Sequence, residues 1–312
     1  MKLAIVFPGQ GSQSVGMMAP FAADATVTAT FVEASKALGQ DLWQLVAAGP
    51  AEELARTVNT QPVMLTAGIA VYWAWITAGG PPPAVLAGHS LGEYAALVAA
   101  GSITLADAVP LVRFRAQAMQ DAVPEGTGAM AAILGLSDDD VRAACAEAAS
   151  ATAQVVEAVN FNAPSQVVIA GNKGAVGKAV ELCKARGAKR GLLLPVSAPF
   201  HSSLLKPAAE RLAERLKAVA ISVPLIPVVH NVDLSTSATP DAVRRALARQ
   251  AASPVLWVDT IRQFAASGVT HIAECGPGKI LAGLVKRIAP EIESVALTDP
   301  AAIASLLATL KG

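Results

Sequence analysis

Ala84-Val85-Leu86-Ala87-Gly88-His89-Ser90-Leu91-Gly92 reads as a short apolar strand running into a tight turn, with a helical pattern following over about 91–100. A buried strand that feeds a helix through glycines is the repeating step of a parallel sheet covered on both faces. Inside it, Gly88-His89-Ser90-Leu91-Gly92 matches G-x-S-x-G. The glycines permit a bend sharp enough to push the serine hydroxyl outward. The helix behind it aims free N–H groups and a positive dipole end at the spot where a tetrahedral oxyanion would form. Ser90 is therefore the candidate nucleophile, with an ordinary turn serine as the alternative.

Upstream, Leu3-Ala4-Ile5-Val6-Phe7 is an apolar strand ended by Pro8-Gly9, and helices follow to about Thr77. From Thr57 to Gly92 there is no Asp, Glu, Lys or Arg. The best helical part, 63–77, is short for a bilayer, lacks flanking Lys or Arg, and is cut off by Pro81-Pro82-Pro83, so a buried helix is expected. After a helix over 105–122, the turn residues Val123-Pro124-Glu125-Gly126-Thr127-Gly128 read as a linker. The rhythm then changes. A strand (129–134), a helix capped by Ser137 (to 149), strands at 154–159 and 166–170, a helix (173–186) and a strand (189–194) give βαββαβ, the ferredoxin-like unit. From Ser197 alternation resumes, with helices at 203–218, 240–251, 258–267 and 279–288. Strands at 226–230, 270–274 and 294–297 and a closing helix accompany them. The expected fold is α/β, a doubly wound and mostly parallel sheet in 1–127 and 197–312, interrupted by a small ferredoxin-like subdomain in 128–196.

Composition narrows the function. Of 312 residues, 53% are hydrophobic and 15% charged, enough apolar surface for a large core. Lys plus Arg and Asp plus Glu number 24 each, so no excess positive charge draws the chain to nucleic acid. Cys145, Cys183 and Cys275 are too few and too scattered for a disulfide framework or a zinc site. The first apolar run is too short for a secretory signal. A cytoplasmic protein without a metal is expected.

A serine hydroxyl needs a base, and the chain has four histidines. His89 adjoins the serine on a turn where side chains diverge, which suits a supporting hydrogen bond. His271 lies within a strand and reads as a core histidine. His230 ends a strand beside Asn231 and Asp233. His201 follows the irregular Val196-Ser197-Ala198-Pro199-Phe200 at a junction between units, where catalytic groups tend to be displayed. The residues alone favour His201 over His230 without excluding the latter. Arg113 and Arg115, two apart on a helix, point to nearly opposite sides, so at most one faces a cleft. Glu93 and Asp107 read as caps or surface charges rather than triad acids. Phe7-Pro8-Gly9-Gln10-Gly11-Ser12-Gln13 fails the dinucleotide fingerprint, because Ser14 stands in place of the third glycine. It still exposes backbone N–H groups at the carboxyl end of a strand. Gly276-Pro277-Gly278-Lys279 lacks the rest of a P-loop.

Taken in order, Phe7 to Gln13, Gly88-His89-Ser90-Leu91-Gly92-Glu93-Tyr94, Arg115-Ala116, Val159-Asn160-Phe161-Asn162 and Ala198-Pro199-Phe200-His201-Ser202 form one pattern, continued by Arg249-Gln250, Pro254-Val255 and Glu274-Cys275-Gly276-Pro277-Gly278-Lys279. It resembles the malonyl-CoA:acyl carrier protein transacylases and the acyltransferase domains of polyketide synthases, over essentially the whole chain. That resemblance implies an α/β-hydrolase-like body with a ferredoxin-like insert, Ser90 as nucleophile and His201 as base. It assigns the substrate carboxylate to Arg115, the oxyanion hole to the N–H groups of Gln10 and Leu91, and the orientation of His201 to a main-chain carbonyl around Gln250. His89 and Asn160 would line the site. Phe200 would crowd a branched acyl group, and His230, where asparagine is common, receives no role. The implied partners are a coenzyme A thioester and an acidic acyl carrier protein meeting basic groups such as Lys189, Arg190 or Lys286. No cofactor is implied, and a monomer is expected. A discrete acyltransferase for a polyketide or malonate-decarboxylase system, and a serine esterase, are the alternatives.

Overall fold

The computed structural model describes residues 1–196 and 198–311; the expected boundary at Ser197 lies outside the described residues. The first strand, β1 (Leu3–Phe7), is buried along its whole length. Leu3, Ile5 and Phe7 enter one core cluster, while Ala4 and Val6 enter another on the opposite face. Period-two alternation with both faces apolar is what a central parallel strand requires. Each large side chain so buried contributes about 1.5–3 kcal/mol.

Four helices follow, α1 (Ala25–Leu38), α2 (Leu42–Ala48), α3 (Ala51–Ala55) and α4 (Thr57–Thr77), and α4 is the uncharged segment, packed inside the larger core. Among the described residues no helix is long and apolar enough to cross a membrane. Next come β2 (Val85–Gly88), α5 (Gly92–Ala99) and α6 (Leu105–Asp121). The change of rhythm is β3 (Gly128–Leu134), α7 (Asp138–Thr152), β4 (Val156–Ala163), β5 (Gln166–Asn172), α8 (Lys173–Ala185) and β6 (Arg190–Leu193). The chain closes with α9 (Lys206–Lys217), β7 (Val228–Val229), α10 (Pro240–Gln250) and α11 (Trp257–Ala266). β8 (His271–Cys275), α12 (Ile280–Ile288), β9 (Glu293–Leu297) and α13 (Pro300–Lys311) complete it.

Two sheets result. Strands β7-β2-β1-β8-β9 pair in parallel, and β4-β5-β3-β6 pair antiparallel. The second order and its βαββαβ connectivity are ferredoxin-like. The fold is therefore α/β, a parallel sheet covered on both faces with a small antiparallel unit inserted.

Two elements differ from expectation. β4 does not stop at Val159 but runs to Ala163, with register shifts at Ala158/Asn160 and Phe161/Ala163. Such bulges break the alternation by which a strand is read, and asparagine is a poor strand former, so the continuation was hidden. β7 shrinks to Val228–Val229 at the sheet edge, because Pro224 and Pro227 on its approach donate no ladder hydrogen bond. The bulged end of β4 also touches the body: Phe161 N donates to Val255 O (3.0 Å), and Val255 N donates to Val159 O (2.8 Å).

Candidate active site

The turn after β2 is forced by contact. A Cβ on Gly88 would stand 1.8 Å from the Gly92 carbonyl carbon, and one on Gly92 would stand 2.1 Å from Phe7 O. Nothing larger than hydrogen fits at either position. Ser90 has φ 52, a left-handed conformation costing a non-glycine residue on the order of 1–2 kcal/mol. Asn231, in the loop after β7, holds it there. Its Oδ1 accepts from Ser90 N (2.7 Å), and its Nδ2 donates to Gly88 O (2.7 Å).

His201 also has a positive φ, 65, in a turn where Ser202 Oγ donates to Pro199 O (2.7 Å). Its Nε2 lies 2.7 Å from Ser90 Oγ, and its Nδ1 lies 3.0 Å from Gln250 O. A carbonyl only accepts, so Nδ1 carries the proton and Nε2 presents its lone pair to the serine. His201 is 3% exposed. Burial, with the Arg115 charge nearby, pushes its pKa down to about 3, which leaves a neutral imidazole at pH 7. The pair can remove a proton from the hydroxyl as it attacks an acyl group.

Arg115, on α6, is 2% exposed. It donates from Nη1 to Gln61 Oε1 (2.8 Å) and from Nη2 to Ser90 Oγ (3.1 Å) and Gln250 Oε1 (3.0 Å), and it sits 5.3 Å from the Tyr94 ring centroid. Its Nε is buried without a partner, and among the described residues no carboxylate forms a salt bridge with it. A buried cation held only by neutral acceptors is matched to an anionic guest. Arg113 faces away, to Gln40 and Asn59.

These groups meet at a cavity of about 130 Å³ that Gln10, Leu91, His89, Asn160 and Phe200 also line. All the residues expected at the site are thus brought together. His89 donates from Nε2 to Asn162 Oδ1 (2.8 Å), its own pKa lowered by burial. Asn160 Oδ1 is buried without a partner. Met130 of β3, with Leu194 and Val196 in the segment after β6, supplies the facing wall. Gln61, Asn231 and the wall residues carried no sequence signal, being ordinary helix, loop or strand residues until the chain is folded. Glu93 corrects an expectation. It is neither a cap nor a surface charge but fully buried, with Oε1 2.7 Å from His230 Nδ1. Burial alone would lower the His230 pKa, yet the hydrogen bond and charge of Glu93 raise it overall. Among the described residues no cluster is arranged to hold a metal ion.

Residues 4–307 match the model of the acyl transferase domain. The chain belongs to the acyl transferase domain family. Within it, the chain is 55% identical over 307 residues to the malonyl CoA-acyl carrier protein transacylase of Escherichia coli K12, covering 98% of this chain and 99% of that protein. The crystal structure of an acyl-carrier-protein S-malonyltransferase from Burkholderia pseudomallei is 61% identical, with a TM-score of 0.97, over 99% of this chain and 100% of that one. A malonyl-transacylase solved in complex with its type II PKS acyl-carrier protein is 48% identical, with a TM-score of 0.97, over 99% and 100% of the two chains. The two solved structures share this fold over essentially the whole chain.

Proposed function

We propose that the chain moves a malonyl group from malonyl-CoA to the phosphopantetheine thiol of acyl carrier protein, through a malonyl ester on Ser90. The observation that carries this reading is the buried Arg115, in direct contact only with neutral oxygens, whose Nη2 touches the same hydroxyl that faces His201. A hydrolase acting on neutral esters has no use for it.

Malonyl-CoA enters with its carboxylate against Arg115, which puts the thioester carbon at Ser90 Oγ. His201 Nε2 takes the hydroxyl proton as Oγ attacks, and the oxyanion is met by the N–H groups of Gln10 and Leu91. Collapse breaks the C–S bond, and the imidazolium returns the proton to the departing sulfur. Coenzyme A leaves as the thiol. The carrier thiol then gives its proton to His201 and attacks the serine ester. Loss of the serine alkoxide, reprotonated by His201, releases malonyl carrier protein. Gln250 O keeps the imidazole in the one tautomer both halves need. Asn160, His89 and Phe200 shape the acyl end, with Phe200 disfavouring branched donors.

The same reading has the chain act as a cytoplasmic monomer with no resident cofactor, the coenzyme A thioester being substrate. It divides the chain into a body, 1–127 and 197–312, and an insert, 128–196; the separate hydrogen bonding of the two sheets supports that division. Lys189, Arg190 and Lys286 are exposed and available to an acidic carrier.

Intact-mass measurement after malonyl-CoA treatment tests the proposal. A malonyl-sized increment on the native protein, absent from Ser90→Ala and discharged by holo carrier protein, is the expected result. Rapid release of free malonate with no thiol acceptor would favour an esterase and overturn it.

A further inference from the structure

Gln250 does more than offer its carbonyl to His201. Its side-chain amide is buried at the centre of the site, and every group around it is fixed in kind. Nε2 donates to Ser90 O (2.9 Å) and to Glu93 Oε2 (2.8 Å), while Oε1 accepts from Arg115 Nη2 (3.0 Å). A carboxylate accepts and a guanidinium donates, so one amide orientation satisfies both neighbours. Reversed, the amide would set N–H against the guanidinium and oxygen against oxygen at Glu93.

Glu93 is itself locked. Oε2 also accepts from Asn231 N (3.0 Å), and Oε1 is held by His230 Nδ1 (2.7 Å), whose Nε2 lies 2.6 Å from Ser237 Oγ. Asn231, in turn, is the clamp on the Ser90 turn. Glu93 does not reach His201, so it is not a displaced triad acid.

We infer that Glu93, anchored by His230, is a positioning residue for substrate selection: by fixing the Gln250 amide it holds the Arg115 guanidinium at the acyl cavity. The consequence falls on donors with a free carboxylate, since only these use the guanidinium, and far less on acetyl donors, which leave it unused. The inference rests on the malonyl-transfer reading above and deepens it.

The test measures kcat and KM for acyl-enzyme formation from malonyl-CoA and acetyl-CoA in wild type, Glu93→Ala, Glu93→Gln, Gln250→Leu and Arg115→Ala. Of the hydrogen bonds that Glu93→Ala removes, loss of the one from Gln250 Nε2 to the carboxylate predicts a malonyl-to-acetyl ratio of kcat/KM lower by about tenfold or more, mainly through the malonyl KM. Glu93→Gln keeps an oxygen toward Gln250 and should recover most of that ratio. A general loss of structure would move both donors together, so an equal fall for malonyl and acetyl overturns the inference. So does a Glu93→Gln ratio as low as that of Glu93→Ala. Should Glu93→Ala fail to fold, Gln250→Leu decides, since it removes the amide but leaves the carbonyl on His201; a wild-type ratio there refutes the role. Arg115→Ala separates the two levels. If it leaves the ratio untouched, the malonyl reading itself has failed; if it collapses the ratio while Glu93→Ala does not, only this inference has.

Discussion

Replacing Arg115 by alanine should convert a selective site into an indifferent one. In the native protein Arg115 is 2% exposed, and its guanidinium donates to neutral oxygens of Gln61, Ser90 and Gln250. A malonyl carboxylate binding there completes a buried ion pair with two parallel hydrogen bonds. Removing one member of such a pair costs about 3–5 kcal/mol, because the other charge is left desolvated. At about 1.4 kcal/mol per decade, malonyl kcat/KM should fall by roughly two to four orders of magnitude. Acetyl-CoA has no carboxylate to lose, and in the variant it no longer faces an unpaired buried cation, so its kcat/KM should hold or rise. The assay is rapid-quench acylation of Ser90 followed by intact mass, with both donors offered singly and in competition. A malonyl-to-acetyl ratio within tenfold of wild type would refute the carboxylate assignment, and with it the argument from burial.

Other consequences are as direct. A base whose pKa lies at about 3 is neutral, and so competent, above that value; kcat/KM for acylation should stay level from pH 8 down to pH 5, and a half-point near 6.5 would contradict the burial of His201. Gly92→Ala drives a Cβ into Phe7 O, a backbone atom that cannot step aside, and should lower stability by about 1–3 kcal/mol in urea titration together with loss of acylation. Asn231→Ala strands the Ser90 N–H and the Gly88 carbonyl, at about 1–3 kcal/mol for each buried group left unpaired; a melting temperature and acylation rate equal to wild type would show that the bend holds itself. All three cysteines are buried with thiol pKa values raised by desolvation, Cys145 to about 12, so iodoacetamide at pH 8 should label them only after unfolding.

The strand, bend and helix around Ser90 were legible because glycine spacing and an apolar run report local sterics, and local sterics survive into the fold. The insert was legible for the same reason, since its βαββαβ rhythm is written in turn residues and periodicity. The residues alone narrow the base to His201 or His230 without choosing, as His201 stands 111 positions along the chain from Ser90 and only the fold brings them together. Glu93 departs from expectation for a definite reason. A glutamate in the first turn of a helix usually faces water and complements the dipole. The loop after β7, bringing His230 and Asn231 over α5, together with Gln250 from the end of α10, makes a buried carboxylate tolerable there. Asn160 and Asn162 do not announce themselves as strand residues, because the bulges beside them erase the alternation.

That His201 leans on a peptide oxygen rather than on a carboxylate has a consequence for charge in the cavity. An aspartate placed there would lie close to Arg115 and compete with the incoming substrate for it, so the site would hold its own inhibitor. An uncharged dipole steers the imidazole and leaves the cation unspent. It also belongs to the main chain, so exchanging the side chain at position 250 cannot delete it.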